Sequence, residues 1–418
     1  MHHFTFRDGE LYAEDVSVKA IAQAVGTPFY LYSASTLQRH IRVFDQSFSG
    51  LDHLVCYSVK ANSNLAVLRL LAQEGAGADI VSGGELFRAL KVGIPPQKIV
   101  FSGVGKTREE IARALKAGIL MFNVESLGEL RVIAEEARQQ GQKAPIAIRV
   151  NPDVDPQTHP YISTGLKKNK FGLSVEKAYE AYLQARQDPY LEIVGIDCHI
   201  GSQLTQVEPF VEALQRIKLF LQRLEQAEIK VRYLDLGGGL GIVYGQEDPP
   251  PPKEYAEALK RTLEDFTGTL ILEPGRVIVG NAGILVTKVL YVKEGAEKRF
   301  VIVDAGMNDL IRPALYGAYH EIVPVRSTTD QTEVVDVVGP ICETGDFLAR
   351  DRELPKVNPG DLLAVMSAGA YGFVMSSNYN SRLRVPEVLV YKNKFYVVRQ
   401  RERLEDLVAG EEIPDFLR

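Results

Sequence analysis

Lys60 stands in the run Tyr57-Ser58-Val59-Lys60-Ala61-Asn62, directly after the apolar stretch 53–57. That stretch reads as a strand, so a primary amine falls at a strand end. A lysine fixed there can form a Schiff base with an aldehyde cofactor or a carbonyl substrate. Alone, the placement is ordinary, because surface lysines often follow strands. The ends of later strand-like runs give it weight. They carry Asp79 with Ser82-Gly83-Gly84-Glu85, then Arg149 and Asn151, then His199-Ile200-Gly201-Ser202-Gln203. Gly237-Gly238-Gly239-Leu240-Gly241 and Glu273-Pro274-Gly275-Arg276 complete the series.

An amine, an imidazole, a glycine loop, a carboxylate and a guanidinium together suit pyridoxal 5'-phosphate. Lys60 would hold the aldehyde. The glycine loop leaves backbone N–H groups open to a phosphate. Glu273 is the acid that would keep a pyridine nitrogen protonated, which makes the ring a stronger electron sink. His199 could stack on the ring face. Each motif has a plainer reading by itself. The glycine loop could be a dinucleotide fingerprint, although it lacks the GxGxxG spacing and comes late in the chain. A single His199 is more often a core histidine, and Glu273 to Arg276 could be a turn with a surface ion pair.

These ends need elements to position them. Strand-like runs fall at 53–59, 78–81, 98–101, 119–124, 146–150, 192–198, 231–236 and 269–273. Helical spacing of apolar residues occupies 65–74, 85–92, 108–117, 127–140, 175–187 and 207–227 between them. Eight strands alternating with helices predict parallel strands and crossover connections, and eight strands close a (β/α)8 TIM-like barrel. An open doubly wound sheet is the alternative. After about residue 281 the runs 284–292, 299–304, 333–338, 361–366, 387–391 and 394–399 are short and rich in β-branched residues. They predict a second, mainly antiparallel β domain. Strand-like runs within the first thirty or so residues are expected to complete it. The predicted division is a barrel over 34–280 and a β domain from 1–33 and 281–418.

The chain has 418 residues, 45% hydrophobic and 24% charged, with a formal net charge of −6. This is an ordinary globular composition, and without a basic block it argues against nucleic acid as a partner. No apolar run is long enough for a membrane span. Nothing at the N-terminus reads as a signal peptide, so a cytoplasmic location is expected. Three cysteines, Cys56, Cys198 and Cys342, without CxxC spacing suggest neither a disulfide framework nor a metal site. Cys56 and Cys198 lie in apolar runs. Cys342 stands beside an acid in Gly339-Pro340-Ile341-Cys342-Glu343-Thr344-Gly345-Asp346.

As a set these motifs make the chain similar to the fold-type III, pyridoxal-phosphate-dependent decarboxylases of the ornithine/diaminopimelate/arginine group. The resemblance runs from Thr27-Pro28-Phe29-Tyr30 to Tyr371-Gly372 and beyond. It implies a homodimer with shared active sites. It further implies that Lys60 carries the cofactor, His199 stacks on the ring and Glu273 pairs with its nitrogen. Asp79 belongs to the same cofactor set. Ser202, Gly238, Gly239, Gly275 and Arg276 would surround the phosphate, with Tyr371 reaching it from the β domain. Arg276, Arg312, Tyr316 and Tyr371 would hold the substrate. Cys342 would donate a proton and Glu343 would bind a distal ammonium, both from the partner subunit. The segment His159-Pro160-Tyr161-Ile162-Ser163-Thr164-Gly165, leading to Lys170-Phe171-Gly172, also resembles the diaminopimelate branch, where it would be a loop near the site.

Within the family the diaminopimelate branch fits best, which implies decarboxylation of the meso isomer at its D-centre to L-lysine. A far-end amino acid needs an acid for its ammonium and arginines for its carboxylate. Glu343, Arg276 and Arg312 meet that need. Thr344 departs slightly from the serine common there. Decarboxylation of ornithine, arginine or carboxynorspermidine remains an alternative, since fold does not fix substrate. A racemase-like barrel is less apt, because those enzymes put an arginine against the ring nitrogen. A non-catalytic binding protein would be expected to have lost Lys60, Cys342 or Glu273, and all three are present.

Overall fold

The computed structural model describes residues 2–154, 170–326 and 331–417. The segment His159 to Gly165 lies outside the described residues. The chain divides into two compact units, one from 37–279 and one from 1–36 with 280–418.

The first unit is a closed parallel barrel. Its strands are His53–Ser58, Gly77–Ile80, Ile99–Phe101, Met121–Val124, Ala144–Asn151, Leu191–Asp197, Tyr233–Asp235 and Thr269–Leu272. Each pairs in parallel with the next, and the eighth returns to the first through Leu270 opposite His53. Closure removes both sheet edges and excludes the open doubly wound alternative. Cys56, Val100, Met121, Ala147, Val194 and Ile271 form one apolar cluster. They come from six different strands, a convergence that filling of the barrel interior explains.

Local sequence sets the returns. Helix Gly83–Lys91 is capped by Ser82, whose hydroxyl accepts from the Glu85 amide. Helix Arg108–Ala117 starts with a Thr107/Glu110 capping box and ends on Gly118 in the left-handed region. These caps satisfy amides that the first turn leaves without partners, and they fix where each strand-end loop stops. The prolines from 249 to 252 lead into helix Pro252–Thr262.

The second unit is mainly β. A nine-stranded sheet runs Phe347–Pro355, Thr332–Val338, Arg299–Val303, Gly283–Glu294, Phe29–Ser33, Glu387–Tyr391, Lys394–Arg399, with Leu362–Val365 and Ile322–Pro324 attached. Most pairings are antiparallel, and two are parallel. Of the N-terminal runs, only Phe29–Ser33 enters this sheet. Phe4–Arg7 and Glu10–Ala13 pair with each other and with Val16–Ser17 in a small separate sheet. Helix Val18–Val25 follows, and its Val18, Ile21 and Ala22 share a buried cluster with Phe4, Leu11, Leu31, Ile284 and Val388. Among the described residues, no helix is long and apolar enough to cross a membrane.

Candidate active site

The first barrel strand ends at Ser58, and a short 3-10 turn, Val59–Ala61, carries Lys60. Ser58 lies opposite Asp79 on the second strand. Lys60 Nζ sits 2.8 Å from Asp79 Oδ2, and the Ser58 hydroxyl donates to the same oxygen at 2.5 Å. The Asp79 side chain is fully buried, and its Oδ1 has no hydrogen-bond partner among the described residues. The lysine amine is therefore held at the strand end by an acid that the fold has removed from water.

Four more buried acids share this end of the barrel: Glu125, Asp197, Asp235 and Glu273. Asn123 joins the last two. Its Nδ2 donates to Asp235 Oδ2 at 3.0 Å and approaches Glu273 Oε1 at 3.4 Å and the Ser102 hydroxyl at 3.1 Å. Burial lifts the Glu273 carboxyl well above the usual carboxylate range. Neighbouring Asp235, Asp79 and Asp197 push it further, and Lys60 opposes. Burial and Asp235 raise Asp197 in the same way. Arg149 answers part of this charge, 2.8 Å from Glu125 and 3.9 Å from Asp197. Burial, Arg149 and Lys60 all hold the His199 imidazole well below its ordinary value, so the ring is neutral at physiological pH.

The glycine loop follows the seventh strand. Gly237 has φ +64°, and a Cβ there would lie 2.4 Å from His199 Nδ1. A Cβ on Gly238 would lie 2.2 Å from the Glu273 carbonyl oxygen. Only glycine lets this backbone pass so close to the histidine ring and the eighth strand. Arg276 is buried just beyond that strand. It donates to the Tyr244 hydroxyl at 2.7 Å and to the Ser202 hydroxyl at 3.1 Å.

Lys60, Asp79, His199, Ser202, Gly238, Gly239, Glu273, Gly275 and Arg276 thus gather at the carboxyl ends of the barrel strands. Ser102, Asn123, Asp197, Asp235 and Tyr244 were not anticipated. Two of them had a signal. Asn123 is a polar residue inside the apolar run 121–124, and Asp235 lies two residues before the first glycine of the loop. The donor set has a clear chemical preference. An aldehyde suits the Lys60 amine, a cationic aromatic nitrogen suits the surplus of buried acid around Glu273, and an anionic tail suits Arg276 with the open glycine backbone.

The remaining candidates lie in the β unit. Arg312 opens a short helix, Arg312–Tyr316, and is buried, its guanidinium 2.8 Å from His320 Nε2. His320 Nδ1 lies 2.8 Å from the Met366 carbonyl oxygen. Tyr371 has a left-handed backbone, φ +55°. Cys342 and Glu343 are exposed at the tip of a turn. Buried Asp346 closes that turn by accepting from the Ile341 and Met307 amides, each at 2.6 Å.

Residues 34–280 match the family "Pyridoxal-dependent decarboxylase, pyridoxal binding domain". The chain is 54% identical to the diaminopimelate decarboxylase of Pseudomonas aeruginosa, over 99% of each chain. The Vibrio cholerae protein of the same name is also 54% identical, over 99% of each. Among solved structures, diaminopimelate decarboxylase from M. jannaschii in complex with L-lysine superimposes with a TM-score of 0.95 at 42% identity, covering 100% of both chains. The Helicobacter pylori enzyme with L-lysine gives 0.91 at 47% identity, over 94% of this chain and 98% of that one.

Proposed function

This chain belongs to the diaminopimelate decarboxylases, within the pyridoxal-dependent decarboxylase family, and from that membership we propose how its own residues carry the reaction. It is a carboxy-lyase that converts meso-2,6-diaminopimelate, at its D-centre, into L-lysine and carbon dioxide. The cofactor is pyridoxal 5'-phosphate. When bound, it supplies an aldehyde for amines and a pyridinium that accepts the electron pair left as carbon dioxide departs.

Lys60 would hold the cofactor aldehyde, and Asp79 holds the unliganded Lys60 ammonium at the strand end. Glu273 would hold the ring nitrogen of the cofactor. The acids around it would favour a cation at that position. His199 would stack on the cofactor, and as a neutral imidazole it would add no charge there. Gly238, Gly239, Gly275, Ser202 and Arg276 hold the phosphate, with Tyr371.

The distal end of the substrate is bound by opposite charges. Glu343 would take the far ammonium, and Arg276, Arg312, Tyr316 and Tyr371 would hold the substrate. Cys342 Sγ delivers a proton to the carbon that has lost its carboxylate. Cys342 and Glu343 act from the partner subunit of a cytoplasmic homodimer. The observation that carries this reading is Lys60 locked on buried Asp79 across from the Glu273 acid cluster. A racemase would place an arginine, not Glu273, at the ring nitrogen. The lysine/ornithine decarboxylase of Vibrio vulnificus shares only the fold, at 22% identity.

The test is a decarboxylation assay with added cofactor. It offers meso-, LL- and DD-diaminopimelate, L-ornithine and L-arginine side by side, with Lys60→Ala as control. L-lysine from the meso isomer alone, lost in the control, is expected. Turnover of ornithine or arginine would overturn the roles given to Arg276, Arg312 and Glu343.

A further inference from the structure

Cys342 and Glu343 sit at an exposed tip, yet the roles given to them need atoms fixed to a fraction of an ångström. The turn that carries them is rigid at its base. Besides the Asp346 contacts, the Glu343 amide donates to the Ile341 carbonyl at 2.8 Å and the Asp346 amide to the Glu343 carbonyl at 3.0 Å. None of these bonds holds the Cys342 amide or the Glu343 side chain.

A second segment of the same unit does. Asn380 Oδ1 accepts from the Cys342 amide at 2.7 Å. The Tyr379 phenol hydrogen-bonds the Glu343 carboxylate, and that contact is the main reason the phenol is raised above its ordinary value. This second segment is framed in turn. The Ser377 amide donates to the Asn308 carbonyl at 2.9 Å, and Asn378 Nδ2 donates to the Arg382 carbonyl at 2.9 Å and to Glu402 at 2.6 Å. Asn380 has φ +56° and ψ +28°, a left-handed conformation that asparagine tolerates better than most side chains. That backbone turn presents its amide oxygen to the Cys342 amide.

We propose that Tyr379 and Asn380 are positioning residues for the reaction. Asn380 fixes the thiol of Cys342 for proton delivery, and Tyr379 fixes the Glu343 carboxylate for the distal ammonium. The proposal rests on the roles given above to Cys342 and Glu343. The two contacts separate chemically. Losing the backbone tie loosens the proton donor, which acts after binding and so lowers kcat. Losing the phenol lets the carboxylate rotate away from the ammonium, which weakens binding and raises KM.

The experiment measures kcat and KM of the full-length holoenzyme for wild type, Asn380→Gly, Asn380→Asp, Tyr379→Phe, Cys342→Ala and Glu343→Gln. Glycine accepts φ +56° without strain, so Asn380→Gly removes the acceptor and spares the backbone. We expect it to lower kcat about tenfold with KM within about twofold, a misplacement-sized effect. Asn380→Asp keeps the oxygen and should recover kcat to within about threefold, as a retained hydrogen bond would. Tyr379→Phe should raise KM about fivefold and leave kcat unchanged, the pattern of lost ground-state binding. Iodoacetamide alkylation of Cys342 gives a readout independent of turnover, and it should quicken in Asn380→Gly and not in Asn380→Asp. If Cys342→Ala and Glu343→Gln lose turnover while the Tyr379 and Asn380 variants match wild type in rates and alkylation, the positioning proposal is wrong. If Cys342→Ala and Glu343→Gln retain full turnover, the turn is not part of the site and the earlier reading fails with it.

Discussion

Glu85 gives the sharpest test of the electrostatics. Its carboxylate accepts from the Val81 amide at 2.7 Å, beside the strand end that carries Asp79. Burial pushes its pKa from the ordinary 4.5 up to about 7. The Val81 amide pulls it back, Asp79 raises it, and Lys60 and Arg88 lower it. A raised acid favours folding only while protonated. The unfolded chain loses this proton near 4.5, whereas the folded chain holds it to about 7. Stability therefore falls as pH rises through that window and is level above it. At about 1.4 kcal/mol per pH unit, the ionised form costs about 3 kcal/mol. Glu85→Gln keeps an oxygen for the Val81 amide and removes the ionisation. Urea unfolding of the cofactor-free chain should show the variant about 3 kcal/mol more stable near pH 8, shrinking below about 1 kcal/mol near pH 5. Equal stabilities at both values, or a variant weaker near pH 8, would refute the reasoning.

Other outcomes follow from single contacts. Lys106 is fully buried and donates to the Gly103 and Asn123 carbonyls, each at 2.8 Å, and to Glu129 at 2.7 Å. Lys106→Met strands Glu129 and should cost about 3–5 kcal/mol in thermal or urea unfolding. That cost should shrink toward acid pH, because burial already raises Glu129 and protonation would relieve it. Glu273→Gln should cut kcat at least about 100-fold, in the range seen on removing one electrostatic stabiliser. The apoprotein should be no less stable near pH 8, because a repelled buried charge has gone. Gly238→Ala places a methyl 2.2 Å from a backbone oxygen. Fluorescence titration of the apoprotein with pyridoxal phosphate should show affinity weakened at least about tenfold, and wild-type affinity would remove the glycine loop from the cofactor site.

The barrel was legible because parallel buried strands read as short apolar runs and the helices between them carry helical spacing and caps. Strand ends could be read as site candidates because polar and glycine residues break those runs. Phe347–Pro355 was missed for the opposite reason. Its Arg350, Asp351, Arg352 and Glu353 give it a charged sequence, and its place beside Thr332–Val338 comes from long-range pairing. Of the N-terminal strands, Phe4–Arg7 and Glu10–Ala13 pair with near neighbours in sequence, whereas the sheet that Phe29–Ser33 joins is set by partners hundreds of residues away. In the site, Lys60 and Glu273 announced themselves at strand ends. Asn123 showed only as a polar residue in an apolar run, because its importance lies in reaching Asp235, 112 residues further on. Tyr244 sits in a loop with no pattern of its own.

The distribution of the three thiols offers a built-in clock. Cys56 and Cys198 are buried and Cys342 is exposed. Burial lifts the thiols of Cys56 and Cys198, which holds them in the unreactive form. A native chain should therefore take one alkyl group, and a chain whose barrel has opened should take three. Mass spectrometry after brief pulses would count opening events of the barrel alone, in the wild-type sequence and with no dye attached. A ligand seated at the strand ends should slow the appearance of the second and third labels, so the same spectrum would rank cofactors and inhibitors by how firmly they latch the barrel shut.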